Sequence, residues 1–435
     1  MIKLLQGKGD LIVDLPPQWE PKQTIFKEAS SVDTSAPELM MRALAKPIKS
    51  PRLEELLNSE SRVAIVVDDI TRPTPIRDLL PRVLELIGER GVSRANVDIV
   101  IGTGTHRPLT DKELEERVGS AVAKTYRVKN HDAHSPELVV MGKIPGYGPV
   151  SFNGTVARAD VKIIVGSTLP HVHSGFGGGP KNIMPGICNF ETIRKHHLKN
   201  VLHHHSRVGI TRGNPFLQDA IQIAKLARID FAIQCLFDTF GQIYEVLAGD
   251  VLAVHQAAIK KQTERLGVPV TGKTDVTIVS SFPYNEGIQC MKAFMPSAMV
   301  TKLGGTIFVV TEVSEPFPDF FLESVRTVRK DGGDEAEANV LEKLNRNEPL
   351  IDAAMDFNMA LILIFSVSRR FKLTMIGHEV LRNAAEAMGY NYSPDLAMAL
   401  REEEARHDKA TVSIIPAGGY IFPIISDPFY LFGGG

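Results

Sequence analysis

Short runs of aliphatic and β-branched residues recur along the first half of the chain, each followed by a polar loop and then a helical pattern. The runs cover residues 62–67 (RVAIVV), 97–101 (VDIVI) and 161–165 (VKIIV). After the first run, apolar residues recur at helical spacing at positions 79, 80, 83 and 87. After the second, Thr110 and Glu113 form the pattern of a capping box. This order of elements predicts a mainly parallel sheet covered by helices.

The loops after these three predicted strands carry most of the unusual polar residues. They read DDITRPTP, GTGTHRP and, from residue 166 to residue 200, a segment rich in glycine and histidine. Ligands of parallel α/β sheets bind beyond the carboxyl ends of the strands. We therefore expect the three loops to meet at one edge of the sheet and to form the site there.

A second set of β-rich runs begins near Thr274, after a stretch at 267–273 that contains glycine and proline. Its predicted strands are residues 276–280, 306–310, 361–365 and 373–376. Residues 412–423 (VSIIPAGGYIFP) are expected to return to the first domain as a closing strand. The predicted fold class is thus α/β, with two domains that each have a mainly parallel sheet flanked by helices.

The predicted domains are an N-terminal cofactor-binding and catalytic domain of residues 1–272 plus 412–435, and a C-terminal α/β domain of residues 273–411. A chain of 435 residues is long enough for two hydrophobic cores. We expect the C-terminal domain to close a cleft over the polar loops, with the active site in that cleft.

Composition excludes several classes of protein. The formal net charge is -2 and no basic stripe is present, which argues against a nucleic-acid partner. The longest strongly apolar run, residues 359–367, is too short to span a membrane, and the N-terminus lacks the pattern of a secretory signal. Three widely spaced cysteines give no disulfide framework. These features are typical of a soluble cytoplasmic protein.

Histidines are concentrated in one short part of the chain. The cluster between residues 171 and 205 consists of His171, His173, His196, His197, His203, His204 and His205. Imidazole is a common metal ligand and general base. The alternative is a solvated helix face, which accounts best for the last three.

A glycine-rich segment lies among these histidines. Gly177, Gly178 and Gly179 allow backbone N–H groups to approach an anion, and Lys181 follows them closely. The segment is not a Walker A loop, because no Ser or Thr follows a Gly-Lys pair. It is interpreted as a nucleotide or phosphate cradle, with a plain glycine turn and a surface lysine as the alternative.

Other candidate residues lie at predicted strand ends. Asp69 and Arg72 are three apart, and arginine can hold a carboxylate through two N–H bonds; the alternative is a helix N-cap. His106 lies on a glycine-rich turn. Gln289 and Lys292 share one face of a probable helix, which is otherwise interpreted as solvated.

In their order and spacing these motifs resemble the nickel-dependent lactate racemase family. The resemblance covers most of the chain and implies a nickel-pincer nucleotide, a pyridinium-3-thioamide-5-thiocarboxylic acid mononucleotide made by separate maturation enzymes. It implies a covalent thioamide link at Lys181 and nickel coordination by His197. It also implies acid/base roles for His106 and His171. The remaining residues would be supports, substrate-carboxylate contacts or phosphate contacts: Asp69, Arg72, Gln289, Lys292, Gly177, Gly178 and Gly179.

The activity that this resemblance implies is racemisation or epimerisation at C2 of a 2-hydroxy acid. Loss of a proton from C2 would place a second negative charge beside the carboxylate, whereas loss of hydride leaves a neutral ketone once a base takes the hydroxyl proton. A racemase needs one such base for each enantiomer, which two histidines provide. Nickel and the nucleotide are thus the expected cofactors, and a small 2-hydroxy acid is the expected substrate.

One departure from the family bears on the substrate. Members that act on lactate tend to have a tryptophan near the site in the second domain, but the only tryptophan here is Trp19. The counterpart region reads AMDFNMAL, with Phe357 as the candidate replacement. We expect a preference for a larger or differently charged 2-hydroxy acid, with lactate still a candidate.

Two other functions remain open from the sequence. The chain would be a nucleotide- or phosphate-binding protein if the glycine segment binds its ligand without redox chemistry. It would be an enzyme of the same fold that catalyses dehydration or proton-transfer epimerisation if the histidines bind another metal, because histidine clusters select metals poorly.

Overall fold

A computed structural model of the protein describes residues 2–7, 9–28, 33–285, 287–313 and 315–425. The strands are β1 (Ile2–Leu4), β2 (Leu11–Val13), β3 (Glu20–Thr24), β4 (Val63–Asp68), β5 (Val97–Gly102), β6 (Arg127–Asn130), β7 (Val139–Ile144), β8 (Gly148–Phe152), β9 (Val161–Thr168), β10 (Pro170–His171), β11 (Gly175–Phe176), β12 (Phe231–Phe237), β13 (Ile243–Gly249), β14 (Gly267–Pro269), β15 (Thr274–Ser280), β16 (Thr301–Thr311), β17 (Lys372–Gly377), β18 (Asn391–Ser393), β19 (Thr411–Ile415) and β20 (Phe422–Ile424).

Helices cover the faces of the sheets. They are α1 (Ala36–Ala45), α2 (Ile76–Glu89), α3 (Asp111–Val118), α4 (Ser120–Thr125), α5 (Gly154–Arg158), α6 (Phe190–Asn200), α7 (Pro215–Lys225), α8 (Val251–Leu266), α9 (Phe294–Val300), α10 (Asp319–Gly332), α11 (Ala336–Asn345), α12 (Met355–Ser368), α13 (Leu381–Met388) and α14 (Leu396–Glu404). Shorter 3-10 turns lie at Leu53–Leu56, Arg94–Asn96, Gly179–Asn182, Gly287–Ala293 and Gly333–Glu335.

The first sheet has the strand order β13-β12-β9-β4-β5-β6. Its neighbouring strands are parallel except for the antiparallel pair β12 and β13. Every residue of β4 and β9 is buried, as expected for central strands covered by helices on both faces. The predicted parallel sheet of the first half is confirmed. The capping box of Thr110 and Glu113 at the start of α3 is also confirmed.

The second sheet has the order β18-β17-β16-β15-β19-β3, and all its neighbouring pairs are parallel. The strands predicted at 276–280, 306–310 and 373–376 are confirmed within β15, β16 and β17. The strand predicted at 361–365 is wrong, because these residues lie in α12. This helix is apolar on nearly all sides and is buried, and a short apolar run cannot by itself distinguish a buried strand from a buried helix.

The segment expected to close the first domain divides between two pairings. β19 lies between β15 and β3 in the second sheet, so the closing strand predicted for the first sheet is not formed there. Val412 and Ile414 of this strand are buried in a core cluster that includes Phe308 of β16. β20 instead pairs with β14. The division into residues 1–272 plus 412–435 and residues 273–411 stays a prediction, and residues 426–435 lie outside the described ranges.

The cysteines and the helix lengths bear on two further expectations. Cys188, Cys235 and Cys290 are buried and free, which agrees with the absence of a disulfide framework. Within the described ranges, none of the helices combines the length and apolar character that a membrane crossing requires.

Candidate functional site

A cavity of ≈ 170 Å³ lies where the loops after β4, β5 and β9 face α12 and the turn Gly287–Ala293. The polar loops therefore meet at one edge of the first sheet, where the sequence analysis placed the site. The predicted site residues that line this cavity are Asp69, Arg72, His106, His171, Gly177, Gly178, Lys181, His197, Gln289 and Lys292. Gly179 is not among the residues that line it.

His106 and Asp69 form a close pair between two neighbouring loops. Nδ1 of His106 lies 2.5 Å from Oδ2 of Asp69, while Oδ1 of Asp69 accepts hydrogen bonds from Thr71. Burial opposes ionisation of Asp69, but His106 and the charge of Arg72 outweigh it and hold the pKa of Asp69 well below its usual range. Burial likewise disfavours a charged His106, but Asp69 outweighs it and raises the pKa of His106. His106 thus donates from Nδ1, and its Nε2 is left for a ligand.

His171 lies at the end of β10 in a different hydrogen-bonding environment. Its Nδ1 accepts backbone N–H bonds from His173 and Ser174, each at 3.2 Å. Burial, followed by the charges of Lys181 and His173, holds the pKa of His171 well below its usual range. The neutral ring consequently carries its proton on Nε2. The two histidines are therefore not equivalent in their neutral forms: His106 then has an acceptor at Nε2, and His171 has a donor there.

Lys181 is buried in the turn Gly179–Asn182. Its Nζ lies 5.1 Å from the centroid of the Phe216 ring. Burial, followed by the charge of Arg72, lowers the pKa of Lys181 to about 7. A large fraction of this amine is therefore neutral at neutral pH, and a neutral amine is the nucleophilic form. The alternative of a surface lysine is therefore wrong.

His197 lies on α6 and is buried against the edge of the Phe216 ring, with the ring centroids 4.9 Å apart. Its Nδ1 donates to the carbonyl oxygen of Ile193 at 2.9 Å. The lone pair of His197 is consequently on Nε2, the arrangement that metal-binding histidines adopt. Among the residues that the structure describes, no group of three or more His, Cys, Asp or Glu is placed to hold a metal ion.

The glycine segment differs from the cradle that its sequence suggested. The N–H of Gly177 donates to the carbonyl oxygen of Leu169 at 2.7 Å, and the N–H of Gly179 donates to Oε1 of Gln234 at 2.9 Å. These two N–H groups are already used within the protein, so they give no support to the expected phosphate contact. Gly178 has a φ of 74°, and a Cβ there would collide with the backbone oxygen of Ser167.

Two buried residues that the sequence analysis missed hold this segment in place. Gln234 on β12 accepts from Gly179 and donates through Nε2 to Oδ1 of Asn182 at 3.2 Å. His255 on α8 lies against Gly179, and its Nε2 donates to the carbonyl oxygen of Gly177 at 3.1 Å. Both residues lie far from the segment in sequence, inside a strand and a helix, so no local pattern indicated them.

Cationic and amide groups face the histidines. Arg72 donates through Nη1 to Oγ1 of Thr71 at 3.0 Å. The alternative of an N-cap at Asp69 is wrong, because the N-cap residue of α2 is Pro75. Gln289 and Lys292 lie on a 3-10 turn and both reach the cavity, so their alternative as a solvated face is also wrong.

The other histidines of the cluster have different surroundings. His196 is buried, and its Nε2 donates to the carbonyl oxygen of Phe216 at 2.8 Å, which is a structural contact. His203, His204 and His205 stack on one another outside the residues that line the cavity. His173 lines the cavity, and its buried Nδ1 has no hydrogen-bond partner.

Phe357, the candidate replacement for the tryptophan of the family, lies at the start of α12. Phe357 packs against Phe320, with ring centroids 4.8 Å apart, and lines a neighbouring cavity instead of the candidate site. Met355, Asp356 and Met359 of the same helix line the candidate site. Asp356 was not among the site residues predicted from the sequence.

Comparison with known proteins gives one matching family model and two relatives. Residues 6–209 match the family model described as the lactate racemase N-terminal domain. The protein named lactate racemase from Thermoanaerobacterium thermosaccharolyticum is 29% identical over 431 residues, which cover 96% of this chain and 97% of that protein. The lactate racemase of Lactiplantibacillus plantarum is 30% identical over 282 residues, covering 63% of this chain and 66% of that protein.

Solved structures show the same fold. The lactate racemase apoprotein from T. thermosaccharolyticum superimposes with a TM-score of 0.83 at 24% identity, covering 98% of this chain and 100% of that chain. A Thermotoga maritima protein superimposes with a TM-score of 0.59 at 17% identity, covering 88% and 97% of the two chains.

Proposed function

Because the chain belongs to the lactate racemase family, we propose that it is an isomerase that inverts C2 of a 2-hydroxy acid by reversible hydride transfer to a nickel-pincer nucleotide. The observation that carries this proposal is the meeting of the predicted site residues around one cavity. They come from segments that are far apart in sequence. Their side chains supply a nucleophilic amine, an imidazole lone pair, two further imidazoles and two cations.

The residues present fit such a cofactor. The buried amine of Lys181, with its pKa lowered to about 7, suits covalent attachment, and Nε2 of His197 suits a nickel ion. Ser167 and His173 line the same cavity, and Oγ of Ser167 and Nδ1 of His173 are buried without a hydrogen-bond partner within the protein. Buried polar atoms normally have partners, so these two support a ligand with polar groups of its own. When bound, the cofactor would accept hydride from C2 and return it to the opposite face.

Arg72 and Lys292 would bind the substrate. Both cations line the cavity, and both act on His171 through their charges. A guanidinium can hold the substrate carboxylate through two N–H bonds, and an ammonium beside it adds a second charge. The carboxylate would then be fixed while C2 and its hydroxyl group face the histidines.

His106 and His171 would move the hydroxyl proton. Asp69 accepts the Nδ1 proton of His106, so Nε2 is the atom that would take a proton from the hydroxyl group as hydride leaves C2. His171 would donate a proton from Nε2 to the ketone oxygen as hydride returns if it starts as the imidazolium, which requires Nδ1 to take up a proton from solvent and to give up its two backbone N–H contacts; the donation then leaves a neutral ring. In the opposite direction the roles exchange: this neutral ring, with its proton on Nδ1, would take the hydroxyl proton at Nε2, and the imidazolium of His106 would return one to the ketone oxygen. Removal of the hydroxyl proton as hydride leaves yields a neutral ketone beside the carboxylate, which avoids a dianion.

The proposal is tested with enzyme that has been co-produced with cofactor-maturation enzymes. Single enantiomers of a panel of 2-hydroxy acids would be supplied and the products separated on a chiral column. The proposal predicts inversion of at least one acid, together with one nickel ion and a mass adduct on Lys181. The variant Lys181→Ala should lack both the adduct and the activity. A normally attached cofactor in this variant, or inversion without nickel, would contradict the proposal.

The phosphate-binding alternative receives less support. Two of the N–H groups that it would need, those of Gly177 and Gly179, are bonded to Leu169 and Gln234. It also gives no role to the pairing of His106 with Asp69. A chain of this kind would carry no nickel and no adduct on Lys181, so the same measurement separates the two functions.

A further inference from the structure

The first turn of α12 forms part of a wall between the candidate site and a second cavity of ≈ 1040 Å³. Asp69, His106, Gln289 and Asp356 line both cavities. Because Asp356 and His106 line the same cavity, a substrate whose C2 lies at His106 can direct its C3 substituent towards Asp356. Asp356 thus lies where it can contact the part of a 2-hydroxy acid that distinguishes one acid from another.

The position of Asp356 is firmly held. The backbone N–H of Met355 donates to Oγ1 of Thr105 at 3.2 Å, which ties the start of α12 to the loop that carries His106. Asn358 is fully buried, and its Oδ1 accepts from the N–H groups of Leu350 and Ile351 at 2.8 and 3.1 Å. The first turn is therefore connected to the residues on both of its sides and presents Asp356 from a rigid element.

The environment of Asp356 makes its carboxyl group unusual. The other residues of α12 that line the candidate site are apolar: Met355, Met359, Ala360 and Leu363. Oδ1 of Asp356 is buried and makes no hydrogen bond of good geometry within the protein, although the backbone N–H groups of Asp356 and Phe357 lie near the carboxyl group and act to lower its pKa. Burial raises the pKa of Asp356 although His106 opposes the shift. A buried acceptor without a partner is unfavourable, so its presence in an apolar wall points to a partner that arrives with the ligand.

We propose that Asp356 contacts the substrate and selects 2-hydroxy acids that carry a hydroxyl group on C3. This inference rests on the proposed function and names the substrate class of the same site. A C3 hydroxyl donates to the carboxyl group of Asp356 and supplies its missing partner. The methyl group of lactate leaves that oxygen unpaired, and a second carboxylate, as in malate, places two acidic groups side by side. A site built to bind a hydroxyl group discriminates against the analogue that lacks it.

Glycerate and lactate form a matched pair for the test, because they differ only by the C3 hydroxyl group. With the cofactor-loaded enzyme, we expect kcat/KM for glycerate to exceed that for lactate by roughly 10- to 100-fold, and malate to be the poorest of the three. In Asp356→Leu the ratio of kcat/KM for glycerate to kcat/KM for lactate should fall to about one, mainly because KM for glycerate rises. Asp356→Asn keeps an acceptor oxygen and should retain most of the preference.

Asp319→Leu is the matched control, because Asp319 is an exposed acid in the first turn of α10. This variant should leave the ratio unchanged. Thermal shifts of each variant with either acid provide a second measurement, and the larger shift by glycerate should be lost only in Asp356→Leu. A wild-type preference for lactate or malate, or an unchanged ratio in Asp356→Leu, would overturn the inference while inversion still supports the proposed function. Absence of any inversion with nickel and the adduct present would overturn both.

Discussion

Lys181 gives a prediction that can be tested without any cofactor. Its pKa is lowered from 10.5 to about 7 because burial, and then Arg72, disfavour the charged form. Above pH 7 the folded protein holds this amine mostly neutral, while the unfolded chain keeps it protonated up to about pH 10. The unfolded state then binds one proton more than the folded state, so raising the pH stabilises the fold by about 1.4 kcal/mol per pH unit.

Lys181→Met removes this titration while keeping an unbranched side chain. Between about pH 7.5 and about pH 9.5 the free energy of unfolding of the wild type should rise by roughly 2–3 kcal/mol relative to that of the variant. The variant should therefore exceed the wild type in stability by the largest amount at the lower pH. Free energies of unfolding would be measured from urea titrations followed by circular dichroism at several pH values. Titrations of groups far from Lys181 are common to both proteins and cancel in the difference. The buried histidines beside Lys181 have lowered pKa values, so they are neutral in the folded protein throughout this pH range and add no slope.

Lys112→Met provides the control, because the side chain of Lys112 is 86% exposed. The difference in the free energy of unfolding between Lys112→Met and the wild type should not vary with pH over this range. A pH-independent difference for Lys181→Met as well would refute the reasoning, since it would mean that the amine of Lys181 is protonated in the folded protein as it is in water.

Three further predictions concern the site. In Asp69→Asn the pKa of His106, followed by NMR titration, should fall because Nδ1 loses its ionised partner. The inversion rate should drop by roughly 100-fold or more for the same reason. An unchanged rate would remove Asp69 from the mechanism. His197→Ala should lose nickel, as measured by metal analysis, while keeping the covalent adduct, and retained nickel would contradict its role as a ligand. Gly178→Ala should destabilise the fold by about 2 kcal/mol or more in urea titrations, because it adds a methyl group at a φ of 74° where a backbone oxygen lies. Gly88→Ala is the control, because Gly88 lies on a helix with open space around it, and this variant should not be destabilised. Equal effects of the two substitutions would argue against crowding at Gly178.

Much of the fold was predictable because buried strands consist of continuous apolar residues, which can be recognised in the sequence. β4 and β9 are covered on both faces, so they read as continuous apolar runs, and polar loops follow each of them. α12 was misread for the same reason: a helix buried on nearly every side also reads as an apolar run. The pairing of β19 depends on partners nearly 140 residues away, such as Val412 with Val276, and no local pattern encodes such a choice.

The site was predictable to the extent that its residues form motifs at strand ends. Asp69, His106 and Lys181 lie on such loops, and they meet because parallel strands end at one edge of a sheet. Asp356 follows no strand and belongs to an apolar helix, so only the three-dimensional structure places its carboxyl group in the cavity. The roles of Gln234 and His255 depend on contacts with distant glycines, and they too required the structure.

The central claim is that inversion proceeds by hydride transfer at C2, and a racemisation assay in heavy water tests it most directly. The cofactor-loaded enzyme would be given a single enantiomer of an acid that it inverts, and the product would be examined by chiral separation and NMR. Retention of the original hydrogen at C2 in the inverted product is the result that the account predicts. Deuterium at C2 would show that the hydrogen left as a proton that exchanged with solvent, and it would contradict the account.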